Sequence, residues 1–256
     1  ASQTSTFTVV ANEPSTLIVT LPGEQQTNGK NVSPAGISST TTPSPLSQMA
    51  GVCLSTHAYA YIVDSYFNWV TGLSGSTVAV ATNDSYDVDP GTFNIVNGRA
   101  VITNTSACPI TARGDAKVTV AHTLYGSRDS SQYMVTPSQA NRIHVLAEGE
   151  SPTPGSSTGR SAAAPGDPGG QAAGIVFPVT IRITDSYWNQ VTQGSTTVKL
   201  TTTDPNDIEP ATFTVFGSVT VSSITLVRAV TTQVLIFDCG ANGVCADGDD
   251  ILRDND

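Results

Sequence analysis

The side chains with the means to do chemistry in this sequence are carboxylates, thiols, imidazoles and three Asn-X-Ser/Thr sites. Asp64 and Asp185 each close a strand-like run, with Asn68 and Asn189 four residues on. Asp and Asn at the start of a loop commonly close Asx turns on their own backbone. The alternative use of the same oxygens is a Ca²⁺ site, which gathers several such ligands. Acidic stretches at 84–89 and 204–209 add carboxylates nearby in sequence. A denser acidic run at 238–256 includes Asp247 and Asp249. It lacks the spaced acids and closing Glu of an EF-hand, so a solvated acidic tail is the first reading and a Ca²⁺ loop the second. The candidate cation ligands are therefore Asp64, Asn68, Asp185, Asn189, Asp247 and Asp249, and no cofactor other than Ca²⁺ is expected.

Cys239 and Cys245 stand six apart in a Gly/Asn-rich turn, spaced for a local disulfide, which leaves Cys53 and Cys108 to pair with each other. Pairing within each half reads as an oxidising compartment, the alternative being four buried thiols. No CxxC pair accompanies a His cluster at zinc spacing. Asn31, Asn83 and Asn104 head glycosylation sequons. His57, His122 and His144 lie in strand-like segments without neighbouring ligand types and are expected on strand surfaces. There is no G-x-S-x-G elbow and no marked Ser/His/Asp trio, so an enzyme is not expected. Trp69 and Trp188 are expected to pack, with a carbohydrate platform as the alternative.

The elements that would position these residues are strands. Only 12% of the residues are charged and 6% aromatic, no long stretch has helical periodicity, and Thr and Val abound. A length of 256 residues suits two domains. The net charge of −10, with three lysines, opposes binding to polyphosphate and hence to nucleic acid. No apolar run approaches the ~20 residues of a membrane helix, so no membrane insertion is expected. The start at Ala1 in a polar Ser/Thr segment fits a processed secreted chain.

An internal repeat organises the whole sequence. Residues 64–70 (DSYFNWV) match 185–191 (DSYWNQV), and 84–93 (DSYDVDPGTF) match 204–213 (DPNDIEPATF). Leu21-Pro22-Gly23-Glu24 corresponds to Ala147-Glu148-Gly149-Glu150, each followed by a Pro/Gly/Ser-rich loop, 25–50 and 151–173, read as ordered excursions or mobile flaps. In 175–184 (IVFPVTIRIT), Ile175, Phe177, Val179, Ile181 and Ile183 fall on one face and Thr180, Arg182 and Thr184 on the other. That period of two predicts a half-buried antiparallel strand. The LPGE turn, Pro/Gly loop, D-x-Y-x-N-x-V, acidic loop and Gly turn, in that order and twice over, resemble bacterial immunoglobulin-like repeats of invasin- and adhesin-type surface proteins. The resemblance implies an all-β chain of two tandem immunoglobulin-like β-sandwich domains, 14–137 and 138–256, preceded by a strand-like segment, 1–13. It also implies an extracellular stalk, adhesin arm or filament unit, with surface glycans among the partners it admits.

The alignment is asymmetric. Residues 4–24 match 130–150 without gaps, setting Phe7 on Tyr133 and Val9 on Val135. Tyr133–Pro137 reads as the last strand of the first repeat. By the same logic Thr6, Phe7, Thr8, Val9, Val10 and Ala11 form a last strand for a domain in front. After the run 231–238 (TTQVLIFD) no later stretch resembles Phe7–Val10. The expectation is strand addition, residues 6–11 of one copy completing the second domain of the next along the acceptor strand Val234, Leu235, Ile236 and Phe237. A contact of that kind that does not close makes a head-to-tail filament of identical copies. Three other readings stand beside it: a fragment of a longer repeat array, a poor last strand at Asp250–Asp254, and a frayed tail at 1–11.

Overall fold

A computed structural model describes residues 5–162, 169–239 and 245. The fold is all-β, with no helix among the described residues. The chain divides into two compact units, Ala1–Thr136 and Pro137–Asp256. The strands of the first are β1 (Thr16–Thr20), β2 (Glu24–Gln26), β3 (Ile37–Ser39), β4 (Gln48–Met49), β5 (Ala58–Val63), β6 (Thr77–Thr82), β7 (Gly91–Val96), β8 (Arg99–Ile102), β9 (Arg113–Ala116), β10 (Val118–His122), β11 (Gly126–Asp129) and β12 (Tyr133–Thr136). Those of the second are β13 (Arg142–Leu146), β14 (Glu150–Pro152), β15 (Arg160–Ala162), β16 (Val176–Thr184), β17 (Ser195–Thr202), β18 (Phe213–Phe216), β19 (Ser218–Thr225) and β20 (Val234–Asp238).

Alternating apolar residues drive both units to bury one side of each strand. In the second unit, β13-β16-β19 and β18-β17-β20 form two three-stranded sheets. Ile143, Val145, Val179 and Ile181 of the first meet Val198, Leu200, Val215 and Ile236 of the second in one core. In the first unit β7 is shared: it pairs with β6 through Gly91–Asn94 and with β8 through Ile95–Val96. The sheet therefore runs β1-β5-β8-β7-β6-β10-β11 and folds over until β1 lies beside β11. A small sheet, β4-β12-β9, completes the unit.

Turn chemistry repeats between the units. In each LPGE-type turn the Glu carboxylate accepts the N–H three residues back, Leu21 from Glu24 at 2.9 Å and Ala147 from Glu150 at 2.8 Å. Gly23 and Gly149 sit at φ of 91° and 89° there, a region that only glycine enters freely. The expected flaps are partly strands: the first Pro/Gly loop carries β2, β3 and β4, and the second carries the β14–β15 hairpin.

Two expectations about side chains are corrected. Arg182 and Thr184 are buried rather than outward, and Ile175 is exposed, because β16 lies under Trp188 and the turn that follows it at one end and runs out past the core at the other. His122 and His144 are buried, not on the surface. His144 stacks against Trp188 at 4.9 Å, and burial, with the charges of Arg160 and Arg182, pushes its pKa down to about 3, so it is neutral. Only His57 is exposed.

Candidate assembly site

β12 shows what the repeated strand does when a partner is present. Tyr133 and Val135 point inward, at 3% and 2% exposure, while Met134 between them is 53% exposed. β12 pairs antiparallel with β9 (Tyr133 with Ala116, Val135 with Arg113) and parallel with β4 (Val135 with Gln48, Thr136 with Met49). The Ala50 N–H donates to the Thr136 carbonyl at 2.8 Å, extending that ladder. Tyr133 is desolvated and faces the Asp87 and Asp84 carboxylates, which together push its phenol up to about 12.

The matching residues at the start of the chain are in the opposite condition. Thr6, Phe7, Thr8, Val9, Val10 and Ala11 form no secondary structure. Phe7 is 87% exposed, Val9 80% and Val10 77%. Three large apolar side chains thus stand open within four positions. The next residue is anchored: the Asn12 N–H donates to Asp64 Oδ2 at 2.9 Å, as the Ser138 N–H after β12 donates to Asp185 Oδ2 at 2.9 Å.

Those two aspartates are the candidate cation ligands of the repeated turn, and the structure shows what their oxygens hold. Asp64 accepts from the N–H groups of Asn12, Tyr66 and Asn68 and from the Asn68 side-chain amide, at 2.8–3.0 Å. Burial raises the Asp64 carboxyl pKa, but these donors outweigh it and hold it below the usual value. Asp185, fully buried, accepts from Ser138, Tyr187 and Asn189 in the same way. These bonds close each turn on its own backbone, the Asx use of such residues. The turn is closed by Phe67 and Trp188, both left-handed at φ 65°. Among the described residues no three acidic, His or Cys side chains gather as a metal group, and Asp247 and Asp249 lie outside the described residues.

The acidic loops act as clasps too, which the sequence reading missed. Asp84 Oδ2 accepts the N–H groups of Ile110 and Thr111 at 3.0 and 2.7 Å, fixing the approach to β9. Asp204 Oδ2 does the same for Val227 and Arg228, both at 2.7 Å. The repeated aspartate was the available signal, but its partners lie more than twenty residues downstream.

The remaining candidates are placed as follows. Cys53–Cys108 and Cys239–Cys245 are both disulfides, as the spacing predicts, and both suit an oxidising compartment. Asn31 is exposed. Asn83 is half-buried, its amide donating to the Asp115 carbonyl at 2.9 Å and its oxygen accepting the Lys117 N–H at 2.8 Å. Asn104 is half-buried, with its N–H on His57 Nδ1. Val234, Leu235, Ile236 and Phe237 form β20, with Val234 and Ile236 turned into the core and β17 along one edge. The matching strand β10 has β6 on one edge and the hairpin strand β11 on the other. No helix among the described residues is long and apolar enough to cross a membrane.

No family model matches the chain, and no curated protein matches it. Among solved structures it is similar to β-glucuronidase 3 of Bacteroides uniformis, at 9% identity and a TM-score of 0.30 over 82% of this chain. It is also similar to a Parabacteroides merdae β-glucuronidase, at 7% identity and a TM-score of 0.27 over 75% of this chain. The chain spans 23% and 22% of the length of those enzymes.

Proposed function

We propose that this protein is a non-enzymatic structural subunit of an extracellular filament or surface appendage, built of two tandem immunoglobulin-like sandwiches. Residues 5–11 of one copy complete the second unit of the next, head to tail, and the contact repeats without closing. One observation carries the reading. The sequence copied at 5–11 forms a core strand, β12, at the end of the first unit, yet at the start of the chain it stands open with Phe7 87% exposed. Two disulfides support an oxidising, extracellular setting. The reading needs no cofactor and no partner beyond further copies of the chain.

A second reading, a glycan-binding adhesin arm, is favoured by one surface. Arg99 lies 5.0 Å over Tyr59 and 5.6 Å over Trp69, and Trp69, Asn94, Asn97 and Arg99 line a cavity of about 450 Å³. Saturable glycan binding by a dispersed monomer, lost in Trp69→Ala, would favour it.

Electron microscopy of the full chain, purified without denaturant, tests the first reading. Regular fibres are expected from the intact protein, and none after deletion of residues 1–11 or in Phe7→Asp, which would bury an unpaired charge. A truncated chain that still forms the same fibres would refute it.

A further inference from the structure

The two units differ at one place that decides where an incoming strand would sit. In the first unit, the stretch between the Asp84 clasp at Thr111 and the Lys117 N–H, held by the Asn83 side chain, is β9, the antiparallel partner of β12. In the second unit the same two anchors recur: Asp204 clasps Arg228, and the Gln233 N–H donates to Thr203 Oγ1 at 3.0 Å. Residues 229–232 between them are therefore the copy of β9, and they form no strand. Their polar backbone makes local bonds, Val230 N–H to the Arg228 carbonyl at 2.9 Å and the Thr232 hydroxyl to the Val230 carbonyl at 3.2 Å. Beside them lies a cavity of about 640 Å³ lined by Ala147, Phe177, Leu226, Val230, Thr232 and Val234. Val230 is half exposed at 50%, at the mouth of that cavity.

The geometry points to this groove, and not the edge of β20, as the acceptor for residues 5–11 of a second copy of the chain. This inference rests on the assembly reading above. The occupant follows from the repeat, since residues 5–11 copy β12 and β12 pairs with β9, whereas the edge of β10 is taken by β11. The register follows as well. β9 holds one residue more than β12 between its two pairings, Tyr133 with Ala116 and Val135 with Arg113, which makes a bulge. The stretch 229–232 is one residue shorter than 112–116, so the copied ladder runs without a bulge, Phe7 opposite Thr232 and Val9 opposite Val230. Phe7 and Val9, two apart, then enter the cavity from one face of the strand, and Thr8 and Val10 stay outside. The Asn12 N–H bond to Asp64 holds the chain where the strand leaves its own unit, as Ser138 is held by Asp185. Strand entry exchanges the local bonds at Val230 for ladder bonds and covers apolar surface on both copies.

Cross-linking of assembled fibres separates this inference from its parent reading. Paired antiparallel positions have Cα atoms close enough for a disulfide. A mixture of Val9→Cys and Val230→Cys subunits, assembled and then mildly oxidised, is expected to give disulfide-linked dimers mapped to residues 9 and 230. A mixture of Val9→Cys and Leu235→Cys subunits is expected to give none. Linkage to 235 alone, or fibres with neither linkage, would overturn the acceptor assignment and leave the filament reading standing. No fibres from the unsubstituted protein would bring down both. A Val230→Cys thiol already shielded from maleimide in the monomer would place the chain's own segment in the groove and overturn the assignment. Val230→Asp supplies an independent test: monomers melting as the parent protein does, with fibres lost, are expected, and fibres retained would overturn it.

Discussion

Asp64 and Asp185 are buried carboxylates that each accept four N–H bonds, and the Asp64 carboxyl is held below its usual value by them. Asp87 is different. Its desolvation, with the Asp84 and Asp89 charges adding and a Thr82 hydroxyl bond opposing, pushes its carboxyl up to about 6. The folded first unit therefore binds this proton more tightly than the unfolded chain, whose Asp titrates near the usual value of ~3.9. Stability falls as pH rises through the window from about 4 to about 6, and the cost is fully present above it. After discounting for partial exposure the effect is about 1–2 kcal/mol. Thermal unfolding is expected to show the first unit more stable at pH 5 than at pH 7, with Asp87→Asn reducing that difference. An unchanged difference in the variant would assign it to other groups. Below the window the sign reverses, because the carboxyls of Asp64 and Asp84 are held low and their stabilising hydrogen bonds are lost on protonation.

At the scale of elements, the β14–β15 hairpin is held to the turn after β16 by a contact with no room in it. Gly159 sits at φ 75°, and a Cβ built there would meet Trp188 Cγ at 2.4 Å. Trp188 is itself left-handed and 8% exposed, wedged between this glycine, His144 at 4.9 Å and the Arg142 guanidinium at 4.4 Å. Gly159→Ala adds both backbone strain and overpacking, and is expected to destabilise the second unit by about 2–4 kcal/mol. The first unit contains no part of this contact. Two resolved transitions in calorimetry, with only the second unit's shifted, would bear this out; a shift of less than about 0.5 kcal/mol would mean that the hairpin simply swings away.

For the whole molecule, a net charge of −10 sets the kinetics of any self-association. Like-charged copies repel at distances beyond contact, and salt screens that repulsion within about 8–10 Å. Fibre growth followed by light scattering is expected to speed up several-fold between low salt and 0.15 M, with fibre morphology unchanged. A slowing would mean that opposite charges steer the encounter. Much of the architecture was legible beforehand because its signals are local and occur twice. The LPGE-type turns, the D-x-Y-x-N turns and the period-two strands such as 176–184 each announce themselves within about ten residues, and the duplication announces two units. The pairing of Cys53 with Cys108 followed from spacing within each half. The burial of Arg182 and His144 was not legible, since strand alternation says which face a residue takes and not how far a neighbouring turn covers that face. Nor was the use of Asp64, whose donor at Asn12 lies 52 residues away. Strand neighbours were the hardest. That residues 5–11 copy a core strand can be read from the chain, because side-chain pattern is written there. That the core strand they copy, β12, lies against β9 and β4 rather than β10 emerges only on folding, because sheet pairing is made by backbone groups that are the same at every residue.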